Sequence, residues 1–402
     1  MKQRIDILTA EAVSLLKGMI AIPSESFGEE QVCTYISGWM TDRQIIHQRV
    51  GNNLIARLSE QKGVETGAFD GKPTLMLCAH IDTVGASEDY SFNPYEPDYS
   101  KAAEIITAKI ADGDIPEAPQ ASVSENDIVA GLGSNDDGAS VVSMLAAFRY
   151  FMPAAREIET SPDLLLVLTC EEERSGANGM TGLWGSLLCS TNQSTRTEDS
   201  IEVDYAIVGE PTGMKAATAE RGLLVIDATA HGVSGHAARN EGINAIEIAI
   251  QDIETLKSHQ FTRLSPRMGK VNLNVTQINA GTAHNVIPDT CTFVIDIRPT
   301  EQYTNAEILA ELQSICKSEL KARNLRNQSS ATRENSPLQT AAESLCIETF
   351  SSPTTSDWMR IDCDAIKMGP GNSARSHKKD EFVFTGEIHN GISTYIDYIK
   401  TL

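Results

Sequence analysis

Apolar and polar positions along the chain fall into two textures. In the first 221 residues, short unbroken apolar runs stand between turn-forming residues. Thr74-Leu75-Met76-Leu77-Cys78 follows Pro73, and Leu164-Leu165-Leu166-Val167-Leu168 lies just past Pro162. Such runs suit strands buried on both faces, as in a parallel sheet covered by helices. Ile201 to Val208 predicts another. Val13, Leu16 and Ile20 recur at helical spacing, which predicts a helix over 9–21 stopped before Pro23. A second helix, over 138–151, follows a Gly-rich turn.

From about Leu223 the texture changes. Strand-like segments at 223–231, 269–278 and 290–298 alternate with helical ones at 242–257 and 305–321, in the order β-α-β-β-α. This predicts a compact α+β insert of small-domain size. Helical patterns return at 337–350 and 388–401. The expected fold class is α/β. A larger domain, 1–221 and 333–402, has a mostly parallel central sheet with helices on both faces, and a smaller α+β domain, 222–332, interrupts it.

Composition narrows the function. Against 33 Lys and Arg stand 55 Asp and Glu, a net charge of −22 over 402 residues. So negative a field repels phosphate backbones and anionic membranes, which argues against nucleic-acid and membrane partners, and it suits a protein that gathers cations. No run approaches the roughly 20 apolar residues of a membrane span. Eight scattered cysteines with no Cys-x-x-Cys argue against a disulfide framework and a thiolate zinc site, so a cytoplasmic location is expected.

Acid and imidazole groups concentrate at five places, mostly at strand ends or in Gly-rich turns. His80-Ile81-Asp82 follows the first apolar run, and residues two apart in an extended chain share a face, so Asp82 can fix the tautomer of His80. Gly131 to Gly138 holds the adjacent carboxylates Asp136 and Asp137, which either cap the next helix or hold a cation. Glu171-Glu172-Glu173 lies just past Leu168, where three acids need solvent or a metal. Gly209-Glu210-Pro211 follows another strand. Gly369-Pro370-Gly371 leads to Arg375, His377, Asp380 and Glu381. Carboxylate oxygens with two imidazoles and no thiolate are the donor set of an open catalytic zinc or cobalt site. Two metals about 3.5–4 Å apart need a bridging carboxylate, for which Asp136 is the candidate.

In order and spacing these motifs resemble the dinuclear zinc aminoacylase/carboxypeptidase family over nearly the whole chain. The resemblance implies two Zn(2+), replaceable by Co(2+), one held by His80, Asp136 and Glu210 and the other by Asp136, Glu173 and His377. It makes Glu172 the general base and Asp82 the partner of His80. It identifies the insert as a lid that mediates homodimerisation. Within it, His236 of Gly232-Val233-Ser234-Gly235-His236, Asn285 and Arg298 match positions near substrate. Arg298 also has Asp296 within reach as a salt-bridge partner.

The sequence departs from the family pattern at Ala79, Gly85, Leu132 and Gly138, and in a long acidic segment at 86–127, expected to be solvated surface. None of these removes a ligand. The Gly-Ser-Asn-Asp turn and the triple Glu resemble one branch of the family's deacetylases. The expected activity is hydrolysis of a small N-acyl amino acid, acetylornithine deacetylase-like and belonging to arginine biosynthesis. The alternatives are a succinyl-diaminopimelate desuccinylase, a carboxypeptidase or dipeptidase with the same metals, and a non-catalytic metal-binding relative. The presence of Glu172 argues against the last.

Overall fold

The computed structural model describes residues 2–64, 67, 69–152, 162–191, 200–239 and 241–402. The chain divides into two units. One comprises Met1–Thr218, Thr332–Phe350 and Ser356–Leu402, the other Ala219–Ala331 and Ser351–Thr355.

The larger unit is built on a mixed sheet that is parallel at its centre. Strand Thr74–His80 pairs in parallel with Asp163–Thr169 on one side and Tyr205–Val208 on the other, and Asp364–Lys367 pairs in parallel with Tyr205–Val208. The margins are antiparallel: Asn53–Arg57 against Asp163–Thr169, and Lys367 against Ala217. Alternate residues of the apolar runs point to opposite faces. Leu75, Leu77, Leu164, Leu166 and Leu168 join one core with the helices Lys2–Ile20, Gly138–Phe151 and Thr385–Thr401. Met76, Cys78, Leu165 and Val167 join another with Met180, Leu183 and Trp358. Burial on both faces is why these strands read as unbroken apolar runs rather than alternating ones.

Four parallel strands present their carboxyl ends at one edge, and ligands of open α/β sheets bind there. His80 closes its strand, Glu171–Glu173 follow Asp163–Thr169 by two residues, and Glu210 follows Tyr205–Val208. The Gly369–Gly371 turn follows Asp364–Lys367. It is pinned from below by the buried Tyr395, whose hydroxyl donates to the Met368 carbonyl at 2.6 Å. Glycine at 138 is required by close approach, because a Cβ there would collide with the Gly133 carbonyl.

The smaller unit is a four-stranded antiparallel sheet in the order Asn272–Ala280, Thr290–Arg298, Leu224–His231, Glu319–Ala322. Helices Ala245–Ser258 and Asn305–Ile315 contribute to its apolar core. Leu224–His231 alternates buried and half-buried residues, as expected of a sheet with one covered face. Asn272–Ala280 is an edge strand and largely exposed.

Three sequence expectations change. The helix predicted over 305–321 ends at Ile315. Asp252 accepts hydrogen bonds from Lys317 N (2.9 Å), Ser318 N (2.7 Å) and Ser318 Oγ, turning the chain into the strand Glu319–Ala322. The order is therefore β-α-β-β-α-β. The helix predicted over 337–350 stops at Ser344, and Cys346 takes a left-handed φ of 55° before the strand Thr349–Ser352. The acidic segment 86–127 is not simply solvated surface. It contains the helix Tyr99–Ala111 and its own apolar cluster. The eight cysteines are free thiols. Among the described residues no helix is long and apolar enough to cross a membrane.

Candidate metal centre

His80, Asp136, Glu172, Glu173, Glu210 and His377 gather at the carboxyl edge of the larger unit's sheet. His80 Nε2 lies 3.2 Å from Asp136 Oδ1, and the other oxygen of Asp136 lies 3.7 Å from His377 Nε2. His377 Nε2 is 3.0 Å from Glu173 Oε1. Potential ligand atoms of His80, Asp136 and Glu173 lie within 4.8 Å of one another, and so do those of His80, Glu172 and Glu210. Asp136 thus stands between the two histidines, the place a bridging carboxylate requires.

Second partners hold these groups in place. His80 Nδ1 faces the Asp82 backbone carbonyl at 2.9 Å and the Asp82 carboxylate at 3.4 Å. A donor at Nδ1 leaves Nε2 free as a ligand atom. The Asp82 carboxylate also accepts from Glu172 N and Glu173 N, each at 3.1 Å, and from Ser26 Oγ at 2.7 Å. One buried acid therefore fixes both the histidine and the turn that carries Glu172. Glu29 accepts from Glu171 N at 3.1 Å. Glu171 turns away to Asn178, accepting from its N (3.0 Å) and Nδ2 (2.6 Å). Glu381 accepts from Gly133 N, Asn135 N and Asp136 N at 3.0, 2.8 and 2.9 Å, which sets the backbone of Asp136. Asp137 sits at the start of helix Gly138–Phe151 but makes no side-chain cap bond.

The electrostatics call for cations. Burial pushes the Glu172 carboxyl well above the usual carboxylate range, with Asp357, Glu173 and Asp82 adding to the rise against the pull of His80. Glu210 is raised well above it by burial and by Asp136 and Glu172, against the pull of Lys367. Glu381 is pushed up to about 8 by burial and by Asp136. So many carboxylates facing one another cost free energy unless a cation neutralises them. Oxygen and imidazole donors without thiolate fit a divalent metal such as zinc in an open site.

The lid candidates lie in the smaller unit. His236 is exposed, its Nδ1 accepting from Ala238 N at 3.2 Å, and the Asn285 carbonyl accepts from Ala237 N at 3.1 Å. Arg298 is engaged by Asp296 through two hydrogen bonds of 2.9 and 3.1 Å. Sequence reasoning missed Glu29 and Asp357. Asp357 is buried and accepts from Thr169 Oγ1 at 2.7 Å. Asp357 stands in no acid- or imidazole-rich motif and Glu29 has only Glu30 beside it, with no histidine or apolar strand run nearby, so long-range contacts reveal them. His259 is half-buried, with Nε2 at 2.9 Å from Glu311 and its ring against Phe261.

Several known proteins are similar to this chain. Residues 218–324 match the peptidase dimerisation domain, and residues 53–244 match peptidase family M28. Acetylornithine deacetylase of Proteus mirabilis is 26% identical, over 92% of this chain and 91% of that enzyme. Aminopeptidase PepT of Bacillus cereus superposes with a TM-score of 0.67 at 16% identity, over 98% of both chains. A dinuclear metal-binding peptidase of the M20 family from Bacillus subtilis gives a TM-score of 0.63 at 15% identity, over 98% of both. These matches support the dinuclear zinc aminoacylase/carboxypeptidase family and a metal-dependent amidohydrolase.

Proposed function

We propose that this enzyme removes the acyl group from a small N-acyl amino acid, as an acetylornithine deacetylase-type hydrolase serving arginine biosynthesis. The observation that carries the reading is the cluster of His80, Asp136, Glu173, Glu210 and His377 with Glu172 beside it. End-to-end similarity to acetylornithine deacetylases supports the choice of substrate class. The eight free thiols suit a reducing, cytoplasmic setting.

In this reading His80, Asp136 and Glu210 would hold one Zn(2+), and Asp136, Glu173 and His377 would hold the other, with Co(2+) able to substitute. When bound, such a pair polarises the acyl carbonyl and lowers the pKa of water. Glu172 takes the proton from the attacking water and passes it to the leaving amine. Its turn is held by Asp82, so the carboxylate meets the substrate already oriented. His236 donates to the oxyanion, and Arg298, whose planar fork matches a carboxylate, pairs with the substrate's carboxyl group in place of Asp296. Asn285 lines the substrate. The smaller unit forms the homodimer contact, and the exposed edge strand Asn272–Ala280 offers unpaired backbone groups for it.

A substrate panel tests the reading. With zinc or cobalt supplied, N-acetyl or N-succinyl amino acids should be cleaved in preference to dipeptides. Hydrolysis of dipeptides alone overturns the deacylase assignment in favour of a peptidase. His236→Ala should leave metal content intact and lower kcat by roughly 10²–10³, the scale of one lost oxyanion donor. Metal analysis and steady-state rates check this, and unchanged turnover would make His236 a structural residue.

A further inference from the structure

Residues 86–127 separate the His80 and Asp136 motifs, and the metal chemistry makes no use of them. They fold against the loop that carries His377. Helix Tyr99–Ala111 begins on Asp98, whose carboxylate accepts from Ser100 N and Lys101 N at 3.1 Å. Ala102, Ala103 and Ile106 share an apolar cluster with Phe92, Ile115, Ile128, Ala130, Phe382 and Phe384. The last four belong to the strand pair Ile128–Ala130 and Phe382–Phe384. One strand of that pair leads into the Asp136 turn, and the other follows His377.

From this apolar base, polar groups of the segment grip the loop on both flanks of His377. On one flank, Asp380 accepts from Ser91 N (2.7 Å), Ser91 Oγ (3.0 Å) and Lys109 Nζ (2.8 Å), and its side chain is 1% exposed. On the other, the buried Arg375 guanidinium donates to Glu117 at 3.2 and 2.9 Å and to Glu387 at 2.7 and 3.1 Å. It also lies 4.5 Å and 4.9 Å from the ring centres of Phe382 and Phe384. The Pro94 carbonyl accepts from Leu132 N at 2.9 Å, so the segment touches the Asp136 turn as well. Along this stretch from Arg375 to Asp380, His377 and Asp380 have φ of 57° and 58°. Non-glycine residues hold such conformations only where their surroundings fix them.

We propose that residues 89–117 are a clamp that sets His377 at ligand distance, with Lys109 and Glu117 as positioning residues for the metal centre. The proposal rests on the assignment of His377 as a metal ligand. Residues that orient a ligand from outside the metal's own coordination sphere typically change affinity by about 10–100-fold when removed. Lys109→Met leaves Asp380 buried beside Ser91 without its cation, and Glu117→Gln removes the charge facing Arg375.

The test is zinc binding to the full chain, read by competition with a chromogenic chelator, alongside steady-state kinetics and thermal melts. Lys109→Met and Glu117→Gln should each weaken one of the two zinc equivalents about 10–100-fold. The fall should be in kcat, with KM little changed, and Lys109→Arg should restore both readouts. His377→Ala is the reference and should lose the same equivalent. Retention of both zincs by His377→Ala would overturn the assignment of the centre itself. If His377→Ala loses one zinc while Lys109→Met and Glu117→Gln bind as tightly as the wild type, the clamp is overturned. Loss of thermal stability with unchanged zinc affinity overturns it too. Should Lys109→Met fail to fold, Glu117→Gln, on the opposite flank, decides alone.

Discussion

Glu172→Gln is expected to keep both metal ions and to lose about 10²–10⁴ in kcat, the range of a positioned general base. The substitution is close to isosteric and removes only the ability to take a proton. The experiment separates two roles that geometry leaves adjacent, because ligand atoms of Glu172, His80 and Glu210 lie within 4.8 Å of one another. A ligand changed to an amide lowers metal affinity, whereas a base changed to an amide lowers only turnover. Its raised carboxyl, pushed up by burial and by Asp357, Glu173 and Asp82, suits a group that accepts a proton and gives it back. Metal analysis beside single-turnover rates distinguishes the outcomes. Full activity with two bound metals would show that Glu172 is not the base, and loss of a metal would make it a ligand.

Asp136→Ala should have the largest effect of all, with both metals lost and hydrolysis falling to background. His80 Nε2 and His377 Nε2 approach opposite oxygens of Asp136, at 3.2 and 3.7 Å, so a single side chain serves both halves of the centre. Removing Glu210, which the proposed function assigns to one metal, should touch one half only. The variant should also lose the stability that bound metal adds, about 2.7 kcal/mol at a metal concentration a hundredfold above Kd. Metal analysis after dialysis and thermal melts with and without added zinc check both claims. An Asp136→Ala protein that still held one tightly bound metal would refute the bridging role.

Much of the site could be read from the sequence because its chemistry sits in short local patterns. His80-Ile81-Asp82 and Glu171-Glu172-Glu173 each place charged groups just past an apolar run, where a parallel strand ends. The periodicity that marks those strands is a property of a few consecutive residues, so it survives without tertiary information. Glu29 and Asp357 were not legible because their importance lies in partners far along the chain, Glu171 N and Thr169 Oγ1. The ends of two helices escaped for a related reason. Asp252, more than 60 positions before Ser318, supplies the acceptor that breaks the helical pattern after Ile315. The segment 86–127 reads as polar and acidic, yet Phe92, Ala102 and Ile106 bury against two strands that follow it, one at once and one near the far end of the chain.

The sequence by itself determined which residue types could bind metal, the α/β alternation and the change of texture near residue 223. Those follow from side-chain chemistry and from hydrophobic period, both local. Tertiary structure alone decided that His80, Asp136, Glu173, Glu210 and His377 meet, and that Glu381 holds the backbone of Asp136. It also decided that an acidic stretch between two motifs grips the loop of a third. Such meetings depend on parallel strands ending at one sheet edge and on carboxylates finding donors hundreds of residues away. No local pattern encodes distance through space.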